Sequence, residues 1–167
     1  LIGLSGSTQY VREGKVMSHK ITFKIKNVGI TVDGSFSDLD ADISFDAKDP
    51  DKSVLRASVG VASIKTGNSM RDRDLQGRKY FYVEKYPRIK MVSKKIKLLG
   101  KDRFMGTFDL TIRDVKKEVE VPFTFSRKEN QGIFKGTFTV DRRDFGVGSN
   151  SIILSDDVNV FIDVTTK

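Results

Sequence analysis

Hydrophobic and polar residues alternate along most of this chain, with the period of two that is typical of strands buried on one face. In the first such segment, residues 16–27, Ile21, Phe23 and Ile25 share one face and lysines occupy the other. The pattern recurs in seven later segments, at residues 30–46, 53–64, 88–99, 103–113, 118–126, 133–142 and 157–165. We therefore expect an all-β fold of eight antiparallel strands, and the sequential hairpins favour an up-and-down barrel.

One short helix is predicted, in the connection between the third and fourth strands. Residues 69–77 carry only Met70 and Leu75 as apolar side chains among charged ones, with Asn68 placed to cap the helix and Gly77 near its end. A helix with so few apolar residues belongs on a surface or across an opening. We therefore expect residues 66–87 to form a flap over one end of the barrel.

The interior of such a barrel is either filled or hollow. A closed sheet of about eight strands is just wide enough to pack its own side chains or to hold one slim ligand. Strands of roughly ten residues at about 3.3 Å each span on the order of 30 Å, which suits an extended hydrocarbon chain. Gly106 and Gly136 are possible gaps in the inner face. Composition alone favours the packed alternative.

Length and composition indicate one domain over residues 1–167, with residues 1–13 as a peripheral N-terminal segment. The absence of cysteine excludes disulfides, zinc thiolate sites, iron–sulfur clusters and cysteine nucleophiles. The chain begins at Leu1 without a methionine, so either a signal peptide has been removed or the segment has been trimmed.

The net charge of +8 has two interpretations. Lys20, Lys24 and Lys26 alternate with apolar residues, which favours lysines scattered over a solvated outer face. The alternative is long-range attraction to an anionic membrane surface. Nucleic-acid binding is not expected.

Catalytic chemistry is not visible in the sequence. His19 is the only histidine and is expected to be a polar surface residue. Asp38, Asp40 and Asp42 share a strand face, but no glycine-bearing calcium loop surrounds them, so a solvated acidic face is favoured. We expect neither an enzyme nor a metal site, and no required cofactor.

The connection around the helix carries a recognisable set of motifs. It contains Thr66-Gly67-Asn68, Arg71-Asp72, Leu75, Tyr80-Phe81 and Glu84-Lys85-Tyr86-Pro87, and blocks at residues 141–148 and 154–156 agree with it. This set resembles the YceI-like family of bacterial lipid-binding proteins. The resemblance implies a lipocalin-like barrel that encloses a polyisoprenoid or similar lipid, and export to the periplasm or outside the cell.

The resemblance also implies a set of ligand-binding residues in the barrel and its flap. They are Phe23, Ile25, Phe45, Val59, Val61, Met70, Arg71, Leu75, Tyr80, Phe81, Met91, Phe108, Leu110, Phe123, Phe138 and Phe145. Arg71 is expected either to pair with Asp72 and pin the flap or to touch a lipid head group. The block Arg142-Arg143-Asp144-Phe145-Gly146 is compatible with an anionic pocket, but a strand end followed by a glycine bend, with an arginine paired to a nearby carboxylate, is favoured.

Three functions follow from these expectations. The first is binding, sequestration or transport of a polyprenyl chain or quinone. The second is an accessory role in quinone-linked redox metabolism or stress response, which would involve a membrane redox protein. The third is a basic interaction barrel without an interior ligand. A monomer and a homodimer are both compatible with the sequence.

Overall fold

The structure, a computed structural model, describes residues 12–167. The predicted peripheral segment at residues 1–13 lies largely outside the described residues. The strands are β1 Arg12–Glu13, β2 Val16–Asn27, β3 Ile30–Phe36, β4 Leu39–Asp46, β5 Val54–Gly60, β6 Ile64–Lys65, β7 Arg88–Gly100, β8 Arg103–Ile112, β9 Val115–Lys128, β10 Gln131–Asp141 and β11 Asp157–Thr166. One α-helix, α1 Ser69–Leu75, lies between β6 and β7 in this part of the chain.

All eleven strands form one sheet, in the order β1-β4-β5-β7-β8-β9-β10-β11-β2-β3-β6, and their pairings are antiparallel. Strands β1 and β6 at the two ends of this order are short continuations of β2 and β5. β1 leads into β2 and pairs with β4, and β6 follows β5 and pairs with β3. Hydrogen bonds thus connect the strands near one end of this order with those near the other. The sheet therefore curls into a barrel-like wall, and the prediction of an all-β antiparallel fold is confirmed.

The predicted count of eight strands is wrong for hydrogen-bonded segments. The second predicted strand, residues 30–46, is divided at Ser37 and Asp38, whose backbone N–H groups both donate to Ser63 Oγ at 3.1 Å instead of to a strand. The third, residues 53–64, is interrupted by a 3₁₀ turn at Val61–Ser63. The inward positions shift at both interruptions, from even-numbered residues such as Phe36 to odd-numbered ones such as Leu39 at the first, and from Val59 to Ile64 at the second.

Phenylalanine rings close one end of the barrel. Phe45 is fully buried, and its ring centroid lies 4.8 Å from that of Phe125, 5.1 Å from that of Phe134 and 5.3 Å from that of Phe104. We call this cluster the packed end. It is made by Phe45, Ile96, Phe104, Phe123, Phe125, Phe134 and Val164.

The connections at residues 66–87, 113–114 and 142–156 lie at the opposite end of the strands. Residues 66–87 form the flap, whose Phe81 ring packs edge-on against Phe36 of β3 at 6.2 Å. No helix among residues 12–167 has the length and apolar character needed to span a membrane.

Candidate functional site: an apolar cavity beneath the flap

Between the packed end and the flap, the barrel encloses a cavity of about 290 Å³. This volume lies at the small end of the range of about 300–1,000 Å³ that is typical of ligand pockets. Aliphatic and aromatic side chains of every long strand make up most of its wall. An apolar wall suits an apolar chain and disfavours strongly hydrated molecules. Burial of such a chain is favourable by about 0.8 kcal/mol for each CH₂ group that leaves water.

Most of the residues predicted as ligand-binding lie on this wall. The strand residues are Phe23, Ile25, Val59, Met91, Phe108, Leu110, Phe123 and Phe138, and the flap residues are Arg71, Leu75, Tyr80 and Phe81. Their side chains alternate inward as the sequence predicts, and the structure brings strand and flap residues together around one space. Ligand contact itself stays a prediction.

Four predicted residues do not line the cavity. Phe45 belongs to the packed end, and Met70 is 66% exposed on the outer side of α1. Val61 is buried in the 3₁₀ turn that ends β5, where its N–H donates to Pro87 O at 2.9 Å. Phe145 is buried in a cluster with Leu110 but does not line the cavity. Three of these residues are buried where neighbouring side chains fill the space, and Met70 faces solvent.

Several residues that line the cavity were not among those predicted from the sequence to bind the ligand. Strand β11 contributes Val158, Val160 and Ile162, whose inward alternation was visible but which carry no motif. Ala41 and Ala57, which face each other across β4 and β5, also line the cavity. Small inward residues of this kind were the available signal, because they leave space that larger side chains would occupy.

Two glycines make room for the rings that shape the wall. A Cβ at Gly34 would clash with the ring of Phe23, and a Cβ at Gly106 would clash with that of Phe108. The predicted gap at Gly106 is therefore wrong, because the Phe108 ring occupies it. At Gly136, which lines the cavity, an added Cβ would meet Phe123 Cβ at 3.2 Å.

The flap begins with a local hydrogen-bonded network around Thr66. Gly67 adopts a φ of +81°, which lets the chain turn into the cap of α1, and Asn68 Oδ1 accepts a hydrogen bond from Arg71 N at 3.0 Å. Asp72 Oδ1 accepts from Thr66 N at 2.9 Å and from Thr66 Oγ1 at 2.6 Å. Arg71 also donates to Thr66, from Nε to Thr66 Oγ1 at 2.8 Å and from Nη2 to Thr66 O at 2.6 Å.

The predicted ion pair between Arg71 and Asp72 is therefore wrong. Among the ion pairs of the described residues, none within 4.0 Å joins these two side chains. Both side chains instead bind Thr66, which is 8% exposed. Their side chains fix the start of the flap, as expected, but through a shared threonine.

The far side of the flap is held by Arg113, in the turn between β8 and β9. Arg113 Nη1 donates to Tyr80 O and Gly146 O at 2.9 Å each, and to Arg78 O at 3.2 Å. Arg78 in turn donates to the Tyr82 hydroxyl at 3.3 Å, and this hydrogen bond raises the pKa of Arg78. The flap is thus tied down at both sides of the barrel end.

The structural role predicted for an arginine of residues 142–146 is that of Arg142. Its side chain is 4% exposed, and its guanidinium donates to the carbonyl oxygens of Val147, Ser149, Leu154 and Ser155 and to Asp156 Oδ1. These bonds organise the loop at residues 142–156 beside the flap.

The polar residues that the sequence singled out elsewhere have ordinary surroundings. His19 is exposed and its Nε2 lies 2.9 Å from Ser37 O, which confirms a surface position. Asp38 forms an ion pair with Arg88 at 3.0 Å. Across residues 12–167, no group of three or more His, Cys, Asp or Glu side chains is arranged to hold a metal ion.

Fold and site together define a β-sheet protein that surrounds an apolar cavity lined in part by a helical flap. The family model described as YceI-like domain matches residues 15–166. The chain is also 30% identical over 152 residues to a UPF0312 protein of Pseudomonas savastanoi pv. phaseolicola, a match that covers 87% of this chain and 79% of that protein. The chain belongs to the YceI-like family.

Solved structures agree with this assignment. The YCEI protein of Campylobacter jejuni is 29% identical, with a TM-score of 0.74 over 81% of this chain and 85% of that one. BcnA of Burkholderia cenocepacia is 23% identical, with a TM-score of 0.88 over 93% of this chain and all of that one. A polyisoprenoid-binding domain of Saccharophagus degradans, implicated in plant cell wall breakdown, is 10% identical, with a TM-score of 0.72 over 95% and 98%. The last two likenesses show a shared fold.

Proposed function

We propose that this protein binds one long-chain isoprenoid or similar lipid, such as a polyprenyl chain or the tail of a quinone, in the cavity beneath the flap. The observation that carries the proposal is the cavity itself. It lies inside the barrel, it is lined mainly by apolar side chains, and the flap is the element that covers it. A space of that character, unfilled by protein atoms, is explained by an apolar occupant.

The shape of the site supports a chain in preference to a compact molecule. The wall extends from Phe134, which belongs to the packed end, to Val147 near the flap. Flap residues Leu75 and Phe81 form part of the wall, so the flap borders the cavity. The same fold in the Saccharophagus degradans domain, described as polyisoprenoid-binding, gives independent support.

On this proposal the protein is a binding module that sequesters or carries its lipid, and the lipid is the only small molecule that it requires. A role in redox metabolism would depend on the bound lipid and a partner protein. Export to the periplasm is part of the same proposal, and it rests on the resemblance seen in the sequence.

The proposal is tested on the full chain produced in a bacterial host. Native mass spectrometry should show one lipid per chain, and organic extraction should release a molecule that mass spectrometry identifies as long-chain and apolar. Protein stripped of lipid should bind an added long-chain isoprenoid with 1:1 stoichiometry. A bare protein mass, together with no uptake of the added isoprenoid, would overturn the proposal.

A further inference from the structure

Arg71 places a positive charge on the wall of an otherwise apolar cavity. Its side chain is half-buried, lines the cavity and comes from the flap. A guanidinium is costly to desolvate and stays charged, so its position beside apolar side chains calls for a counterpart.

The other cationic residues along this wall are already accounted for. Arg142 has its N–H groups directed at four carbonyl oxygens and one carboxylate. Arg56 and Lys135 lie at outward positions of β5 and β10, where both residues are exposed. Arg71 is therefore the cation of the wall that retains donors for a ligand.

The hydrogen bonds of Arg71 leave one edge of its guanidinium open. Nε and Nη2 form the edge that binds Thr66, at 2.8 and 2.6 Å. In the described part of the chain, Nη1 has no hydrogen-bond partner and no carboxylate lies within 4.0 Å of the guanidinium. The open edge consists of one N–H of Nη1 and the remaining N–H of Nη2, which are parallel to each other. Two parallel donors on one edge match the oxygens of a phosphate or carboxylate, whereas a single carbonyl or hydroxyl uses only part of them.

The network around Thr66 also fixes this edge in place. Asp72 holds Thr66, and Thr66 holds one edge of Arg71, so the rotamer of Arg71 is set before any ligand arrives. Preorganisation of this kind lowers the entropic cost of binding.

We infer that the lipid carries an oxyanion, a phosphate or a carboxylate, at the end of its apolar chain, and that Arg71 binds that group. This inference rests on the proposed function, since it assigns the head group of the same ligand. The chain lies in the cavity and the acidic head lies at the flap. Plain hydrocarbons and neutral alcohols fit the cavity but leave the open edge of Arg71 without a partner.

The test compares three lipids that share one chain: farnesyl phosphate, farnesoic acid and farnesol. Each is titrated into the full-length, lipid-free protein by calorimetry. The intact protein should bind at least one of the two acids about ten- to a hundredfold more tightly than farnesol, the range expected for hydrogen bonds to a charged group. Comparison of the two acids identifies phosphate or carboxylate as the preferred head.

Two substitutions on the same helix make the matched comparison. R71Q should lose the preference, so that its affinities for the two acids fall to about its own affinity for farnesol. R73Q removes an exposed charge two residues away and should keep the preference of the intact protein. R71K, which keeps the charge but not the two-donor edge, should fall between the intact protein and R71Q. Farnesol binding by R71Q shows that the variant has folded.

The outcomes separate this inference from the proposed function. Equal affinity of the intact protein for farnesol and both acids would overturn the assignment of Arg71 and leave lipid binding in place. An acid preference that survives R71Q, or that R73Q reduces as much, would also overturn it. No binding of any of the three lipids would overturn this inference, and the proposed function falls with it if the protein does not take up the longer isoprenoid either.

Discussion

The two ends of the barrel interior follow the same alternation of inward and outward residues, yet one end is solid and the other is hollow. At the packed end the inward positions hold phenylalanines, and Phe45 touches the rings of four others. Nearer the flap many inward positions hold smaller side chains, such as Ala57, Val140 and Val160, and the cavity lies among them. Periodicity thus determines which face a side chain occupies, whereas side-chain volume determines whether that face leaves a cavity.

The largest expected effect comes from the packed end. Phe45→Ala removes a fully buried ring that does not line the cavity, so it should lower the free energy of unfolding by about 3–5 kcal/mol. Urea denaturation measures the loss, and Met70→Ala on the exposed side of α1 is the control that should stay near the intact protein. A loss under about 1 kcal/mol for Phe45→Ala would show that this end is loosely packed.

A second substitution fills the hollow region. Val160→Phe adds a ring where the cavity offers space, so stability should change by less than the roughly 1–3 kcal/mol that is typical of overpacked cores. Lipid content in native mass spectra should fall sharply, because the ring occupies the space of the chain. Asn159→Phe, on the outer face of the same strand, is the matched control and should keep its lipid. Full lipid occupancy in Val160→Phe would contradict the placement of the ligand.

The smallest expected effect concerns the flap. Thr66→Val removes the hydroxyl that joins Arg71 to Asp72, with an expected loss of about 1 kcal/mol. Because the network is local, hydrogen exchange of amides in residues 66–76 should accelerate more than exchange in the packed end. Thr137→Val on an exposed position of β10 is the control. Unchanged exchange in the flap would mean that this network does not hold it.

The sequence was sufficient to predict the inward faces of the strands, because burial on one face enforces strict alternation. Phe108, Phe138 and Leu110 lie inward for this reason. It was not sufficient to predict the breaks at Ser37 and at Val61–Ser63, since those bends depend on hydrogen bonds between distant segments, such as those from Ser63 Oγ.

The composition of the site was predictable only in part. Motif residues of the flap, including Leu75 and Phe81, lie on the cavity wall. Adjacent opposite charges suggested a pair between Arg71 and Asp72, but neighbouring helical residues point in different directions and both reach Thr66 instead. Whether an inward phenylalanine packs or lines a cavity depends on its neighbours in space, which is why Phe45 and Phe145 were misassigned.

The central claim is that the space beneath the flap is a lipid site, and a crystal structure of the protein loaded with a long-chain isoprenoid phosphate tests it most directly. The account predicts continuous, elongated density along Phe108 and Val160, with its polar end within hydrogen-bonding distance of Arg71. A cavity that holds only ordered water, or that side chains have collapsed to fill, would contradict it.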